Sequence, residues 1–578
     1  MVQNEQPAGR TFGYSCGSDW LGTPPEINET EILQEYSFDV VVVGGGHSGT
    51  QAALAAAQMG ASVAVLEKHT EADIVYRGDD ICSYNSKLLE GWGFGPYDLK
   101  EITNEYVRRA NGRCNPDVIR AFVYHSGEMM DNLAAIVPET SNIFDYQNGE
   151  CIVQVAYGKP NGSEYPLESE GYKMWASTVQ TIGTQNKLPI GRRKLTGVSR
   201  LYELEVYCRE AAEELGGQWF FDTGAVVLTK AEDGAVNGVI GRRGDGSFIR
   251  FHANKGVILA TGDFGGNPDM VWALCSEVAE YAERVGIPRE KVGGMTDCTG
   301  DGQKLGCWAG GMLETHPRPV SIDAPHLGFG PWGTTPCLWL NSQGNRFTNE
   351  ALSGFALTQC IRQPMESPDS FNFSIMDRNY MEYVRRAGLD HGAPNWGFPE
   401  GMASFEQDMK ALDPAKGGGQ VTGTEIANRN PQMRMPGYVF VGNTPEEAMR
   451  NAGVPEKAIP NALKSLQRYN ELCDLHSDED YGKSADCMIP IKDGPFYIGR
   501  QDTGGLFNCG LNTLTGLIVN GNMQVMNSRR TAAIPGLYAV GNCMGQRYGN
   551  SYSCPSAGNN MGNAMTTGRI AGKHCAGL

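Results

Sequence analysis

Three glycines and one acid near the amino end have the spacing of a phosphate-binding turn. They are Gly44, Gly46 and Gly49, followed by Glu67, 23 residues after Gly44. Gly44 allows a tight turn, Gly46 lets the backbone approach a pyrophosphate, and Gly49 lets a helix pack closely on its strand. Glu67 is placed for a ribose hydroxyl, with Lys68 beside it. Such residues work only if elements position them. Val40 to Val43 reads as a buried strand, an alanine-rich helix follows the glycines, and Ser62 to Leu66 reads as a second strand. The helix amino terminus then faces the phosphates with its dipole. Together these parts predict a dinucleotide-binding βαβ unit over 38–70.

A second glycine-rich set lies some 490 residues later. From Gly536 the chain reads as strand (GLYAVGN), loop and helix (GNAMTTGRIAG). A nicotinamide enzyme needs little beyond its βαβ unit. FAD needs longer reach, because its isoalloxazine lies far from the adenine. A helix starting near Gly562 is placed to aim its amino end at the flavin C2 carbonyl, where it stabilises negative charge on the reduced ring. The expected fold is therefore α/β: a Rossmann-like (GR2-type) FAD-binding domain, discontinuous in sequence, with an inserted α+β capping domain.

Between these ends, Leu99 to Leu215 reads as mostly helical, with a Gly/Pro/Tyr-rich break near 157–172. Short strands are expected at Val226 to Leu228, Val236 to Gly241 and Phe248 to His252, and a buried one at Val257 to Ala260. Prolines and aromatics crowd 311–494. The expected division is an arm (1–37), a first FAD-binding segment (38–310), a capping domain that binds substrate (311–494) and a second FAD-binding segment (495–578).

Composition narrows the partners. The net charge of −18 argues against nucleic acid and anionic membranes. Sixteen cysteines show no CxxC, CxxCH or finger spacing, so no haem c, zinc site or iron–sulfur cluster is expected. Scattered thiols suit a reducing compartment. No apolar run reaches the roughly 18 residues of a membrane helix. A cytoplasmic location follows, with an export signal upstream of Met1 left open, as is the oligomeric state.

Five segments in order carry a resemblance: the βαβ unit with Glu67, ATGDFGGN at 260–267, TGDG at 299–302, NSQGNRFTNE at 341–350, and GLYAVGN…GNAMTTGRIAG at 536–572. They resemble the FAD-dependent fumarate reductase, succinate dehydrogenase and 3-ketosteroid dehydrogenase superfamily over about 38–578. The resemblance implies FAD contacts at Gly44, Gly46, Gly49, Glu67, Lys68, Ala225, Val226, Thr261, Gly262, Asp301, Gly541, Asn542, Gly562 and Asn563. It places Asn85 and Ser86 on the flavin-facing loop. Members that attach FAD covalently use a histidine there; Gly78 to Leu89 has none, so noncovalent FAD is expected.

The departures from that pattern concern the substrate. The proton-donating Arg of fumarate reductases falls on Gly354, followed by Phe355. The Arg of their GxHxxxR loop falls on Tyr552, as in the ketosteroid group, and a carboxylate-binding His falls on Leu506 or Phe507. A dicarboxylate would lack charge partners. These changes imply an apolar site with phenol hydroxyls, suited to a largely neutral small molecule. Tyr552 and His316 (in THP) are the candidate catalytic residues, while Arg346 and Glu350 are expected to tie cap to flavin domain. The expected activity is hydride exchange between flavin N5 and a C–C or C=C bond conjugated to a carbonyl, with an external electron donor or acceptor. One alternative is a fumarate- or urocanate-type reductase of an unsaturated acid, which would need Arg547 or Arg378 in the site. The other is a flavin electron carrier without turnover.

Overall fold

The computed structural model describes residues 20–577 except 75, 77, 79, 155–170, 182–199, 294–296, 316–317, 319, 323–331, 334, 353–359, 362–363, 365, 368, 388–398, 423–435 and 503–510. Its centre is an eight-stranded sheet. The strands run in the order Gln524–Met526, Ala533–Ala539, Phe248–Leu259, Ile32–Val43, Val63–Leu66, Gln218–Phe220, with Thr223–Lys230 and Val236–Arg243 branching beside Phe248–Leu259. Val40 to Val43 pairs in parallel with Val63 to Leu66 on one side and Gly256 to Leu259 on the other. Both faces of these segments are covered, which is why they read as unbroken apolar runs. The order brings the chain's two distant glycine sets to within one strand of each other, since Val257 to Leu259 pairs in parallel with Leu537 to Ala539 on one side and with Val41 to Val43 on the other.

The first helix, His47–Gln58, is almost wholly buried, and the C-terminal helix, Asn559–Ala576, lies against it. Small residues make that approach possible. A Cβ on Gly568 would stand 2.2 Å from the Ser48 carbonyl oxygen, and one on Gly572 would stand 2.3 Å from that of Ala52.

The structure corrects several boundaries. The strand expected from Val40 starts at Ile32, so it runs through the end of the expected arm (1–37). The two strands expected over 248–260 are one, Phe248–Leu259, with a register shift opposite Phe38 and Val40. Between Leu99 and Leu215 helix is the commonest structure among the described residues, but two short strands interrupt it. After Leu99–Arg109 and Pro116–Ile136 come Cys151–Val153 and Thr178–Thr181; the latter is the middle strand of a small antiparallel sheet, between Cys151–Val153 and Asp80–Cys82. The Gly/Pro/Tyr-rich break lies almost entirely outside the described residues. Helix resumes at Leu201–Glu214.

A separate five-stranded antiparallel sheet is built from Leu338–Asn341, Phe371–Met376, Phe496–Asp502, Pro436–Gly442 and Gly418–Thr422, in that order. Phe496–Asp502 belongs to it, so the inserted unit runs past the expected limit at 494. The expected role of Arg346 and Glu350 is also corrected. Arg346 grips Glu350 through Nε (2.9 Å) and Nη2 (2.8 Å), and Asp478 through Nη1 (3.0 Å) and Nη2 (2.7 Å). Lys483 Nζ completes the cluster 3.2 Å from Glu350. All four residues lie within the inserted unit, so they hold it together internally. Burial pushes the Glu350 carboxyl up, but Lys483 and Arg346 outweigh it and hold the group below its ordinary value.

No helix among the described residues is long and apolar enough to cross a membrane.

Candidate active site

Most of the residues expected to contact FAD lie at or just after the carboxyl ends of the parallel strands, the usual ligand crevice of such folds. Gly44 takes φ 103° and donates its N–H to Leu66 O at 2.7 Å. Glu67 is buried; Oε2 accepts from Gly45 N–H at 2.8 Å and Oε1 from His69 N–H at 2.9 Å. Its carboxylate thus rests against the glycine turn. Val226 falls at a break in the ladder between Ala225 and Val227, so its backbone stands outside regular pairing.

From the distant half, Gly541 donates to Thr567 Oγ1 (3.2 Å), and Gln303 Nε2 bridges Gly262 O (3.0 Å) and Asn542 O (3.2 Å). Thr261 Oγ1 accepts from Gly302 N–H at 3.0 Å, next to Asp301 at the start of Asp301–Trp308. Gly562 and Asn563 lie in the first turns of the C-terminal helix.

Three expected contacts have their side chains occupied elsewhere. Lys68 Nζ donates to Asp297 O at 2.6 Å. Asn85 adopts φ 54° and uses both amide atoms on the backbone of Tyr97 (2.9 and 2.8 Å). Ser86 Oγ caps the helix Lys87–Gly91 by accepting from Leu89 N–H at 3.1 Å. The side chains of these two residues shape the loop. His316, Gly354, Phe355, Leu506 and Phe507 lie outside the described residues.

Two features suit a dinucleotide. The side of Gly46 where a Cβ would stand is open, with nothing within 4 Å, at the amino end of the first helix. Asn563 Oδ1, Gln303 Oε1 and Ser83 Oγ are buried polar atoms without a hydrogen-bond partner. Such atoms are costly unless something bonds them. No histidine occurs from Gly78 to Leu89. The purified protein should therefore be yellow and should release FAD, not FMN, on heat denaturation. Flavin that stays with acid-precipitated protein would refute noncovalent binding alone.

Tyr552 stands beside the start of the C-terminal helix. Its hydroxyl oxygen accepts from Asn560 N–H at 2.8 Å, so it caps the C-terminal helix, whose Gly558 N-cap offers no side chain. Burial pushes its phenol well above the ordinary value, so it keeps its proton at neutral pH. Tyr548 lies edge-on to it with ring centres 4.9 Å apart, and the Tyr548 hydroxyl is buried without a partner. Sequence reasoning passed over Tyr548. The signal was there: if Tyr552 takes the Arg place in GxHxxxR, the His place four residues earlier is Tyr548. Arg547 is buried beside them, bonded to Asn542 Oδ1 (2.8 Å) and Asn560 Oδ1 (3.2 Å). Arg378, by contrast, is 60 % exposed and 3.5 Å from Asp493, away from this cluster.

Glu314 was also missed, because nothing in its local sequence marks it. Its Oε2 accepts from Gln546 N–H (2.8 Å) and its Oε1 from Gly516 N–H (3.3 Å), anchoring the loop that carries Arg547. Burial pushes its carboxyl up to about 7, against the opposing pull of those N–H groups, Arg547 and Arg318. A raised folded pKa means the folded state binds the extra proton. The neutral carboxyl's contribution is complete below the unfolded value, 4.5, and is lost as pH rises through about 7. Relative to Glu314→Gln, the native protein should lose roughly 3 kcal/mol of stability between pH 5 and 8. Parallel pH–stability curves for the two proteins would contradict this.

Residues 39–560 match the family described as FAD binding domain. The chain belongs to that family, and is an FAD-dependent oxidoreductase. It is 29 % identical over 570 residues to the vinyl phenol reductase of Lactiplantibacillus plantarum, covering 94 % of this chain and 97 % of that protein. It is 24 % identical to the digoxin reductase of Eggerthella lenta, covering 96 % and 89 %. Among solved structures, the 3-ketosteroid-Δ4-(5α)-dehydrogenase of Rhodococcus jostii RHA1 in complex with 4-androstene-3,17-dione superposes with a TM-score of 0.61 at 20 % identity, covering 96 % of this chain and all of that one. That likeness is one of fold.

Proposed function

We propose that the chain reduces, or in reverse desaturates, a C–C bond conjugated to a carbonyl or an equivalent electron-withdrawing group on a largely apolar small molecule. The observation that carries this is Tyr552: a protonated phenol fixed on a helix amino terminus beside a second phenol, Tyr548, and the Arg547 cation. When bound, FAD supplies the hydride acceptor or donor. The protein's task is to handle charge at the other end of the conjugated system. Negative charge develops on the substrate carbonyl oxygen as hydride reaches the β-carbon. A hydroxyl that accepts from Asn560 N–H is polarised by the helix end and becomes a stronger donor to that oxygen. Tyr548 offers a second hydroxyl in the same cluster. Both relatives named above are reductases, and vinyl phenol is itself a small, uncharged, conjugated C=C compound. Electrons enter or leave through another protein, a soluble flavin, a quinone or oxygen.

A second reading, reduction of an unsaturated acid, is favoured by one observation: Arg547 is buried without a carboxylate partner among the described residues. Anaerobic mixing of photoreduced enzyme with enones, vinylphenols, steroids and unsaturated acids tests both. Neutral conjugated compounds should reoxidise the flavin, whereas fumarate should react poorly and succinate should not reduce the oxidised enzyme. Fumarate reduction as fast as that of any enone would overturn the first reading. No reoxidation by any compound would favour an electron carrier.

A further inference from the structure

The buried charges around the C-terminal helix do not balance. Arg547 is 1 % exposed, and no carboxylate among the described residues lies within ion-pair distance of it. Its Nη2 donates to Asn542 Oδ1 (2.8 Å) and, weakly, to Leu514 O (3.4 Å), and its Nη1 to Asn560 Oδ1 (3.2 Å). Every acceptor is neutral. Its Nε is buried with no partner, and its guanidinium carbon stands 4.9 Å from the Tyr548 ring centre.

Two other charged groups act on this neighbourhood. Glu314 is tied to Gly516 and Gln546 N–H, and with its carboxyl near 7 it is ionised only in part at neutral pH. Arg318, buried and bonded through Nε to Glu314 O at 2.9 Å, adds positive charge. A buried guanidinium without an opposite charge is costly. The Glu314 carboxyl, bonded to backbone N–H groups and not to the guanidinium, offsets that cost only in part, which leaves Arg547 able to take a further anion.

The position of Arg547 narrows what that anion is. Asn542 lies in the turn after the strand Ala533–Ala539, and Asn560 lies in the first turn of the C-terminal helix. These are the two elements that bring the distant half of the FAD set into the crevice. The helix spans 18 residues and adds its positive end at the same place. We propose that Arg547 is the charge partner of the reduced flavin, holding with the helix terminus the negative charge that reduction leaves on the pyrimidine side of the ring. Hydride addition at N5 delivers two electrons and one proton to the neutral oxidised ring, leaving one negative charge shared by N1 and the C2 carbonyl. The hydride comes from substrate C–H in desaturation or from the external donor in reduction. The proposal rests on the FAD reading above, but it assigns Arg547 to the cofactor rather than to a substrate carboxylate.

The test uses FAD-loaded protein. Sulfite adds at N5 and places the same negative charge on the ring, so the unmodified protein should form a stable, bleached sulfite adduct. Arg547→Gln should weaken that adduct by about 100-fold and lower the midpoint potential by about 60 mV, a tenfold change being about 30 mV for a two-electron couple. Arg547→Lys should retain most of both properties. Three outcomes would overturn the proposal: no sulfite adduct in the unmodified protein, which needs no variant to fold; an unchanged potential in FAD-loaded Arg547→Gln; or an unchanged potential with KM rising only for unsaturated acids, which would assign Arg547 to a substrate carboxylate. Protein purified without flavin would refute the FAD reading itself, a different failure from any of these.

Discussion

Tyr552→Phe should lower turnover by about 10²–10³-fold while FAD stays bound, the usual cost of deleting one donor to a developing oxyanion. The change removes one oxygen and keeps the ring against Tyr548, so packing survives. The same oxygen accepts from Asn560 N–H, so a second effect is expected. Losing a helix N-cap costs about 1 kcal/mol and should lower Tm by a few degrees. The two effects are separable. If Tyr552 only caps the helix, Tm falls and turnover of the FAD-loaded variant stays near that of the parent. If it also polarises substrate, turnover falls far more than the lost stability can explain. Comparing kcat with FAD content and Tm on one preparation decides the matter.

The largest stability effect should come from the inserted unit. Glu350→Gln should cost about 3–5 kcal/mol, because it removes the carboxylate from a buried cluster and leaves Lys483 without an anion. Lys483 would keep only neutral acceptors, Pro336 O at 2.7 Å, Tyr469 OH at 3.1 Å and Cys337 O at 3.4 Å. Arg346 would keep Asp478. Glu350 and Asp478 are held below their ordinary values, so the stability they confer is present above the usual carboxylate range and is lost as pH falls through their folded values. The exposed pair Arg385–Glu382 is the control, and breaking it should cost little. Urea unfolding of the two variants side by side checks the contrast; equal losses would mean that the buried cluster is replaceable.

What was legible in the sequence follows from how local its physics is. Gly44, Gly46, Gly49 and Glu67 were readable because one short turn imposes all their requirements, and the buried parallel strands announce themselves as valine runs. The second half of the FAD fold was readable because the same strand, loop and helix grammar recurs after Gly536. Side-chain duty was less visible. Asn85 and Lys68 were expected at the cofactor from the resemblance alone, yet their side chains satisfy Tyr97 and Asp297, which are distant in sequence or only partly local. The ion cluster of Arg346, Glu350, Asp478 and Lys483 spans more than 130 residues, and no periodicity encodes it. Glu314 was invisible for the same reason: its significance comes from the backbone of Gly516 and Gln546, about 200 residues further on. The unsatisfied nitrogen of Arg547 is a property of packing, which composition and spacing do not contain.

The central sheet also sets a timetable for biosynthesis. Val257, Ile258 and Leu259 gain their neighbour on one side only when Leu537 to Ala539 arrives. Those strands are separated by more than 270 residues, most of them in the inserted unit. At about 5–20 residues per second, the ribosome leaves this apolar Val-Ile-Leu edge unpaired for roughly 14–55 s. An exposed edge of that kind invites pairing with other chains. Newly made protein should therefore lean on holding chaperones during that interval, and yield in a host should fall steeply with expression rate and temperature even though the finished sheet buries the segment completely.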